Sequence, residues 1–193
     1  VAEARVFLKS NPKININLKE VVHGYKYENG NTVGGLVIGH GGFIMNHITN
    51  MDQQNGRGVP GLAWTVGAQA VEVEFDTKTF YYKIRKAVSV IDAGKILNPM
   101  GARGQVTGAM NMGLSWASRE GYSFDKNGII LNNQFLSYKT IRFDENPEYV
   151  VEFMETLQSD GPYGARGLGE FGIIGMPGAL ANSLSAAAGV SLN

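Results

Sequence analysis

The chain has 193 residues, enough for one domain with a substantial core or for part of a larger one. Lys plus Arg and Asp plus Glu number 17 each and no long basic run occurs, so nothing in the charge points to nucleic acid or an acidic membrane surface. The absence of cysteine excludes disulfides, cysteine-bound zinc and iron–sulfur clusters within this chain, and it fits a reducing, cytoplasmic setting.

His23, His40 and His47 are too widely spaced for a helical HExxH site, and metal ligation by them is not expected. No stretch approaches the ~20 uninterrupted apolar residues of a membrane-spanning helix, and no signal peptide is visible. The opening "VAEARVFLKS" reads as the tail of an element that begins upstream, so the chain is expected to be an excised fragment.

In chain order, residues 2–9 carry Val6 and Leu8 among charged positions and predict a helix that "SNP" ends. "INLKEVVHGYKY" (16–27) predicts a strand closed by the turn "ENGN". "GGLVIGHGGF" (34–43) predicts a glycine-interrupted strand, followed by a polar loop over 50–61. Residues 70–94 hold two alternating runs joined by "DTKT", the pattern of an antiparallel hairpin. Glu72 and Glu74 share one face of it, opposite Val71, Val73 and Phe75, which suits a solvated face better than a glycosidase pair.

Residues 104–119 predict a helix with Val106, Ala109, Met110, Gly113 and Ala117 on one stripe. Gly104 and Gly108 lie one turn apart on it, and because glycine weakens helices they imply that something approaches closely. A turn follows within 123–130, then a strand at 149–156. A second helix spans 177–188, with Pro177 in its first turn and Gly189 at its end. The irregular alternation predicts an α+β fold, mixed sheets with packed helices.

The loop "GPYGARGLGE" (161–170) ends on Glu170. "GARGLG" reverses the GxGxxG order of a dinucleotide turn, and "AGKI" (93–96) fails as a P-loop, so phosphate cradling does not explain it. An acid before a helix could simply favour the dipole. Alternatively, glycines let the backbone approach a bulky ligand and deliver one carboxylate to it. Enclosure by Leu168, Phe171 and Ile173 would then raise the proton affinity of Glu170, as a general base requires.

These segments resemble the xanthine dehydrogenase and aldehyde oxidase family of molybdenum hydroxylases. "GPYGARGLGE" is similar to the family's G-x-G-E loop, and "VSVIDAGKILNPMGARGQVTGAMNMGLSWA" (88–117) to its D-x-G-x-x-x-N-P segment leading into a G-Q-x-x-G helix. "LNNQFLSYKTIRFDENPEYVVEFME" (131–155) is similar to the stretch before the final loop. Where the family often has two prolines after the glutamate, this chain has Phe171 and Gly172.

The resemblance implies that residues 1–193 are the C-terminal portion of a molybdopterin-binding domain, inactive alone. It implies that Glu170 is the general base, deprotonating a molybdenum-bound hydroxyl that attacks an electron-poor carbon of a purine-like heterocycle or an aldehyde. Gln105 would hydrogen-bond the pterin, with Gly104 and Gly108 letting the helix approach and Gly167 and Gly169 bringing backbone N–H groups close. No side chain here would ligate the metal. Iron–sulfur clusters and FAD would reside on other domains or subunits, and the upstream part of the same subunit would complete the pocket. An aldehyde oxidase-type hydroxylase, or a non-catalytic binding or assembly module, remains the alternative.

The other notable residues carry structural expectations. Asp92 and Asn98 should fix a loop through local hydrogen bonds, and Arg166 should pair with a carbonyl or an acid. Trp64 and Trp116 should lie in the core or at a subunit contact, and Met110 and Met112 should pack.

Overall fold

A computed structural model describes residues 4–35, 38–61 and 63–192. The chain divides into two compact units, Val1–Ile44 and Met45–Asn193.

In the first unit, β1 (Arg5–Leu8) pairs antiparallel with β2 (Asn11–Asn17), with Val6 opposite Ile16. This corrects the helix expected over 2–9, of which Ala2 and Glu3 lie outside the described residues. Val6 and Leu8 are two apart, the period of a strand, and Lys9 and Ser10 turn the hairpin, with Asn11 and Pro12 already in β2. The strand expected over 16–27 is also corrected. It is mostly α1 (Leu18–His23), followed by the short β3 (Tyr25–Lys26), which pairs with β4 (Thr32–Val33). The cause is a capping box: the Asn17 side chain accepts from the Lys19 N–H at 2.9 Å, and the Glu20 carboxylate accepts from the Asn17 N–H at 3.3 Å. The strand expected over 34–43 is irregular wherever it is described, and its apolar centre, Leu36 and Val37, lies outside the described residues. No described residue of this unit is fully buried.

The second unit holds the core. β5 (Val66–Phe75) and β6 (Tyr82–Asp92) form the expected hairpin, with a bulge at Glu72/Val73. Glu72 and Glu74 are exposed, and Glu74 pairs with Arg85. After β6 comes α2 (Pro99–Ser118), whose N-cap is Asn98, its side chain accepting from the Gly101 N–H at 3.0 Å. The helix therefore begins five residues before Gly104, because Pro at its first position and Asn before it form a start signal. The turn over 123–130 is present, and α3 (Phe135–Tyr138) follows it. β7 (Glu148–Met154) then joins β6 in parallel, giving the order β5-β6-β7.

α4 (Phe171–Ile174) and α5 (Met176–Ala188) close the chain, with Pro177 in the first turn of α5 and Gly189 left-handed at its end. Together, Phe171–Ala188 are apolar and long enough by composition to cross a membrane, but Met176 and Leu180 are buried in the core. The fold is α+β, with mixed sheets and packed helices.

The core gathers Ala87 and Ile91 of β6, Val151 of β7, Val106, Met110 and Leu114 of α2, and Met176 and Leu180 of α5. The stripe on α2 holds at Val106, Ala109, Met110 and Gly113, but Ala117 is exposed and Leu114 is buried in its place. Met110 packs as expected and Met112 does not, being 55% exposed. Neither tryptophan is in the core: Trp64 is 91% and Trp116 61% exposed. The helices approach tightly at Gly113, where a Cβ would stand 2.9 Å from the Met176 Cβ and 3.1 Å from the Ile173 carbonyl oxygen. Facing it, a Cβ on Gly172 would stand 2.6 Å from the Val106 oxygen, so glycine at the family's proline position lets α4 sit on α2.

Candidate functional site

The site is built where β6 ends. Asp92 is the last residue of the strand, and beyond it the chain turns through Gly94 at φ +65. The loop 156–170 docks onto this turn. Arg166 N–H donates to the Ala93 carbonyl at 2.9 Å, and Lys95 N–H to the Gly164 carbonyl at 2.8 Å. Any side chain on Gly94 would collide with the Gly164 carbonyl oxygen, so both the backbone angle and the space demand glycine there.

Arg166 does pair with an acid and with carbonyls. Its guanidinium reaches Asp92 at 3.4 Å, the Thr156 carbonyl at 3.2 Å, the Trp64 carbonyl at 3.3 Å and Gln158 Oε1 at 3.2 Å. Asp92 also accepts from the Gly94 and Thr156 N–H groups at 3.1 and 3.0 Å. Burial alone would raise the proton affinity of Asp92. Hydrogen bonds from Thr156 and Gly94 and the charge of Arg166 outweigh it and hold the carboxyl below the ordinary range. The role of Asp92 is thus wider than the local loop bonding expected of it, whereas Asn98 keeps to that role as a cap. Nearby, His47 pairs with Asp160 at 3.0 Å.

Past Arg166 the chain runs through Gly167, Leu168 and Gly169 to Glu170. Leu168 and Phe171 pack against the core, and Ile173 faces α2 at Gly113. These three therefore do not wall in the carboxylate as expected, and Glu170 is exposed on the surface of this chain. Glu170 does stand at the N-terminal end of α4, where the helix dipole favours an acid, but its side chain makes no cap hydrogen bond there. Among the described residues its carboxylate makes no hydrogen bond or ion pair.

One contact brings the two motifs together. Gln105 Nε2 donates to the Gly169 carbonyl at 2.7 Å, which places the exposed start of α2 beside the residue before Glu170. Gly104, Gln105, Gly108, Gly167 and Gly169 are all exposed. A Cβ added to any of those four glycines would meet nothing within 4 Å. They differ in this from Gly94, Gly113 and Gly172, which the fold itself requires. Two helix-interior glycines that no packing demands cost ~1 kcal/mol each relative to alanine, and they leave a bare surface beside Gln105.

The exposed carboxamide and the bared backbone can hydrogen-bond an organic group laid against them. The surface offers a carboxamide whose Oε1 accepts no hydrogen bond within the described chain and a Gly167 N–H with no partner there. Among the described residues no group of three His, Cys, Asp or Glu could hold a metal ion. Sequence reasoning missed Thr156 and Gln158. Both precede the glycine loop in plain view, but only the fold shows that they face Arg166.

A family profile described as molybdopterin cofactor-binding domain matches residues 1–147. The xanthine dehydrogenase molybdenum-binding subunit of Escherichia coli O157:H7 is 35% identical over 128 residues, 66% of this chain and 17% of that protein. The aldehyde oxidoreductase molybdenum-binding subunit of Escherichia coli K12 is 34% identical over 128 residues, 65% of this chain and 18% of that protein. The structure of quinoline 2-oxidoreductase from Pseudomonas putida 86 superposes with a TM-score of 0.61 at 26% identity, covering 65% of this chain and 16% of that one. The chain thus spans under a fifth of the length of these relatives.

Proposed function

Because this chain belongs to the molybdopterin cofactor-binding domain family, we propose that it is the part of a molybdenum hydroxylase subunit that carries the general base, Glu170, and a pterin contact, Gln105. The observation that carries this reading is the Gln105–Gly169 hydrogen bond, which joins the helix motif and the base-bearing loop on one glycine-bared surface. Gly104, Gln105 and Gly108 lie inside the family match. Glu170 lies beyond it and rests on its loop motif and its position.

When bound, the cofactor supplies the two-electron oxidising centre at which water-derived oxygen is added to an electron-poor carbon. The chain's own residues do the rest. Glu170, whose carboxylate has no partner among the described residues, takes the proton of the attacking hydroxyl onto a carboxylate oxygen. Gln105 holds Gly169 through Nε2 and keeps Oε1 for a pterin N–H. Gly104 and Gly108 leave room for the ring, and Gly167 and Gly169 present backbone N–H groups to it. Iron–sulfur clusters and FAD on other domains or subunits would take up the electrons, and the upstream part of the subunit would complete the pocket.

The substrate is a purine-like heterocycle, as the xanthine dehydrogenase relative suggests. An aldehyde is the second reading, favoured by the nearly equal identity of the aldehyde oxidoreductase subunit. In the complete cofactor-loaded subunit, Glu170→Gln should leave molybdenum content near wild type and lower kcat by about 10²–10⁴. A loss smaller than about tenfold would contradict general-base action by this residue.

A further inference from the structure

We propose that Arg166 is a positioning residue that fixes the loop bearing Glu170, through a half-hidden set of acceptors drawn from three separate segments. The proposal rests on the reading of Glu170 as the base. The side chains of Arg166 and Asp92 are 12% and 15% exposed, whereas the other ion pairs that join a Lys or Arg to an acid involve side chains at least 27% exposed. The guanidinium spends its donors on the Trp64 carbonyl ahead of β5, on Asp92 at the end of β6, and on the Thr156 carbonyl and Gln158 side chain after β7. A planar fork suits acceptors in several directions at once, which a lysine ammonium on a flexible stem does not match.

The placement gives this cluster its consequence. Arg166 stands four residues before Glu170, and two of the residues between them, Gly167 and Gly169, have no side chain to anchor. Glu170 is therefore held by Arg166 with the backbone bond at Ala93 on one side, by Gln105 at Gly169 on the other, and by the packing of its neighbours Leu168 and Phe171 on the core. The carboxylate itself has no partner within the described chain, so its position depends on these anchors. Loss of the first should let the acid wander without unfolding the sheet, whose core lies at Ile91, Val151 and Met110.

The test uses the complete cofactor-loaded subunit, with steady-state kinetics, molybdenum content, thermal midpoint and amide hydrogen exchange of the 156–170 segment. Arg166→Gln should speed exchange in that segment alone and lower kcat by about 10²-fold, the scale of a 1 Å misplacement. KM and molybdenum content should stay near wild type, and the thermal midpoint should fall no further than it does in Asp92→Asn, since both lose the same pair. Arg166→Lys, which keeps the charge on Asp92 but loses the fork, should fall between wild type and Arg166→Gln in kcat. Unchanged exchange, or kcat within about twofold of wild type, would overturn the proposal.

Should Arg166→Gln lose metal or fold, Gln158→Ala, which removes one acceptor and no charge, serves instead. It should show the same confined loosening with a smaller loss of kcat, and no loosening would overturn the proposal. If Glu170→Gln keeps its activity, the base reading fails and the kinetic part of this proposal falls with it. Faster exchange confined to 156–170 in Arg166→Gln would still show that the loop is held there.

Discussion

Gln105 Nε2 lies 2.7 Å from the carbonyl oxygen of Gly169, so a helix residue and a loop residue 64 positions apart in the chain share one hydrogen bond beside Glu170. A glutamine there can serve two partners, since Nε2 holds the loop and Oε1 is left to accept. Its replacement should disturb both cofactor retention and base placement.

Gln105→Ala in the complete subunit should accordingly lower molybdenum and pterin occupancy, read by metal analysis after purification. Unchanged occupancy with unchanged turnover would remove Gln105 from the site.

The glycines divide into two classes that mutation can separate. Gly113→Ala puts a methyl group 2.9 Å from the Met176 Cβ and should destabilise by about 1–3 kcal/mol through overpacking, with a lowered thermal midpoint. Gly104→Ala meets nothing within the chain and should stabilise α2 by up to ~1 kcal/mol in the cofactor-free protein. A bulkier residue, Gly108→Leu, should reduce cofactor occupancy with little change in the stability of the cofactor-free protein. Equal destabilisation at Gly113 and Gly108 would contradict the division.

Asp92 sets an acid limit. Its carboxyl is held below the ordinary range in the folded state, so the stability it contributes is fully present above the unfolded value of about 3.9. That contribution is lost as pH falls through the lower folded value. Asp92→Asn should therefore be less stable than wild type at neutral pH, and the gap should narrow below about pH 4. Thermal midpoints across pH check this, and a gap that stays constant into acid would show that the ionised carboxylate, with its Thr156, Gly94 and Arg166 partners, is not its source.

Ser115 offers a smaller structural test. It is buried and its Oγ accepts from the Ile141 N–H at 2.9 Å, tying the segment before β7 to α2. Ser115→Ala leaves that N–H unsatisfied and should cost about 1–3 kcal/mol in denaturant unfolding. No measurable loss would mean that the segment finds another acceptor.

The long elements were legible because their periods are unambiguous. Val71, Val73 and Phe75 alternate with Glu72 and Glu74 over a full strand, and Val106, Met110 and Gly113 repeat at helical spacing. Short apolar runs were not, since two positions such as Val6 and Leu8 are too few to establish a period and the capping box of Asn17 and Glu20 decides the next segment. Glu170 and Gln105 stood out by their motifs, and the fold then brought Gln105 against the residue before Glu170. The partners of Arg166 were not legible, because Trp64, Asp92 and Thr156 meet only through strand order, with β6 between β5 and a parallel β7. The walling of Glu170 was misjudged because Leu168 and Phe171 had a stronger claim on the core than on the acid.

The most direct measurement of the central claim is a crystal structure of the complete subunit with its cofactor bound. The Glu170 carboxylate should then lie within about 2.6–3.2 Å of an oxygen bound to the molybdenum, with Gln105 against the pterin. A carboxylate turned to bulk solvent, with the metal out of reach of the loop, would contradict it.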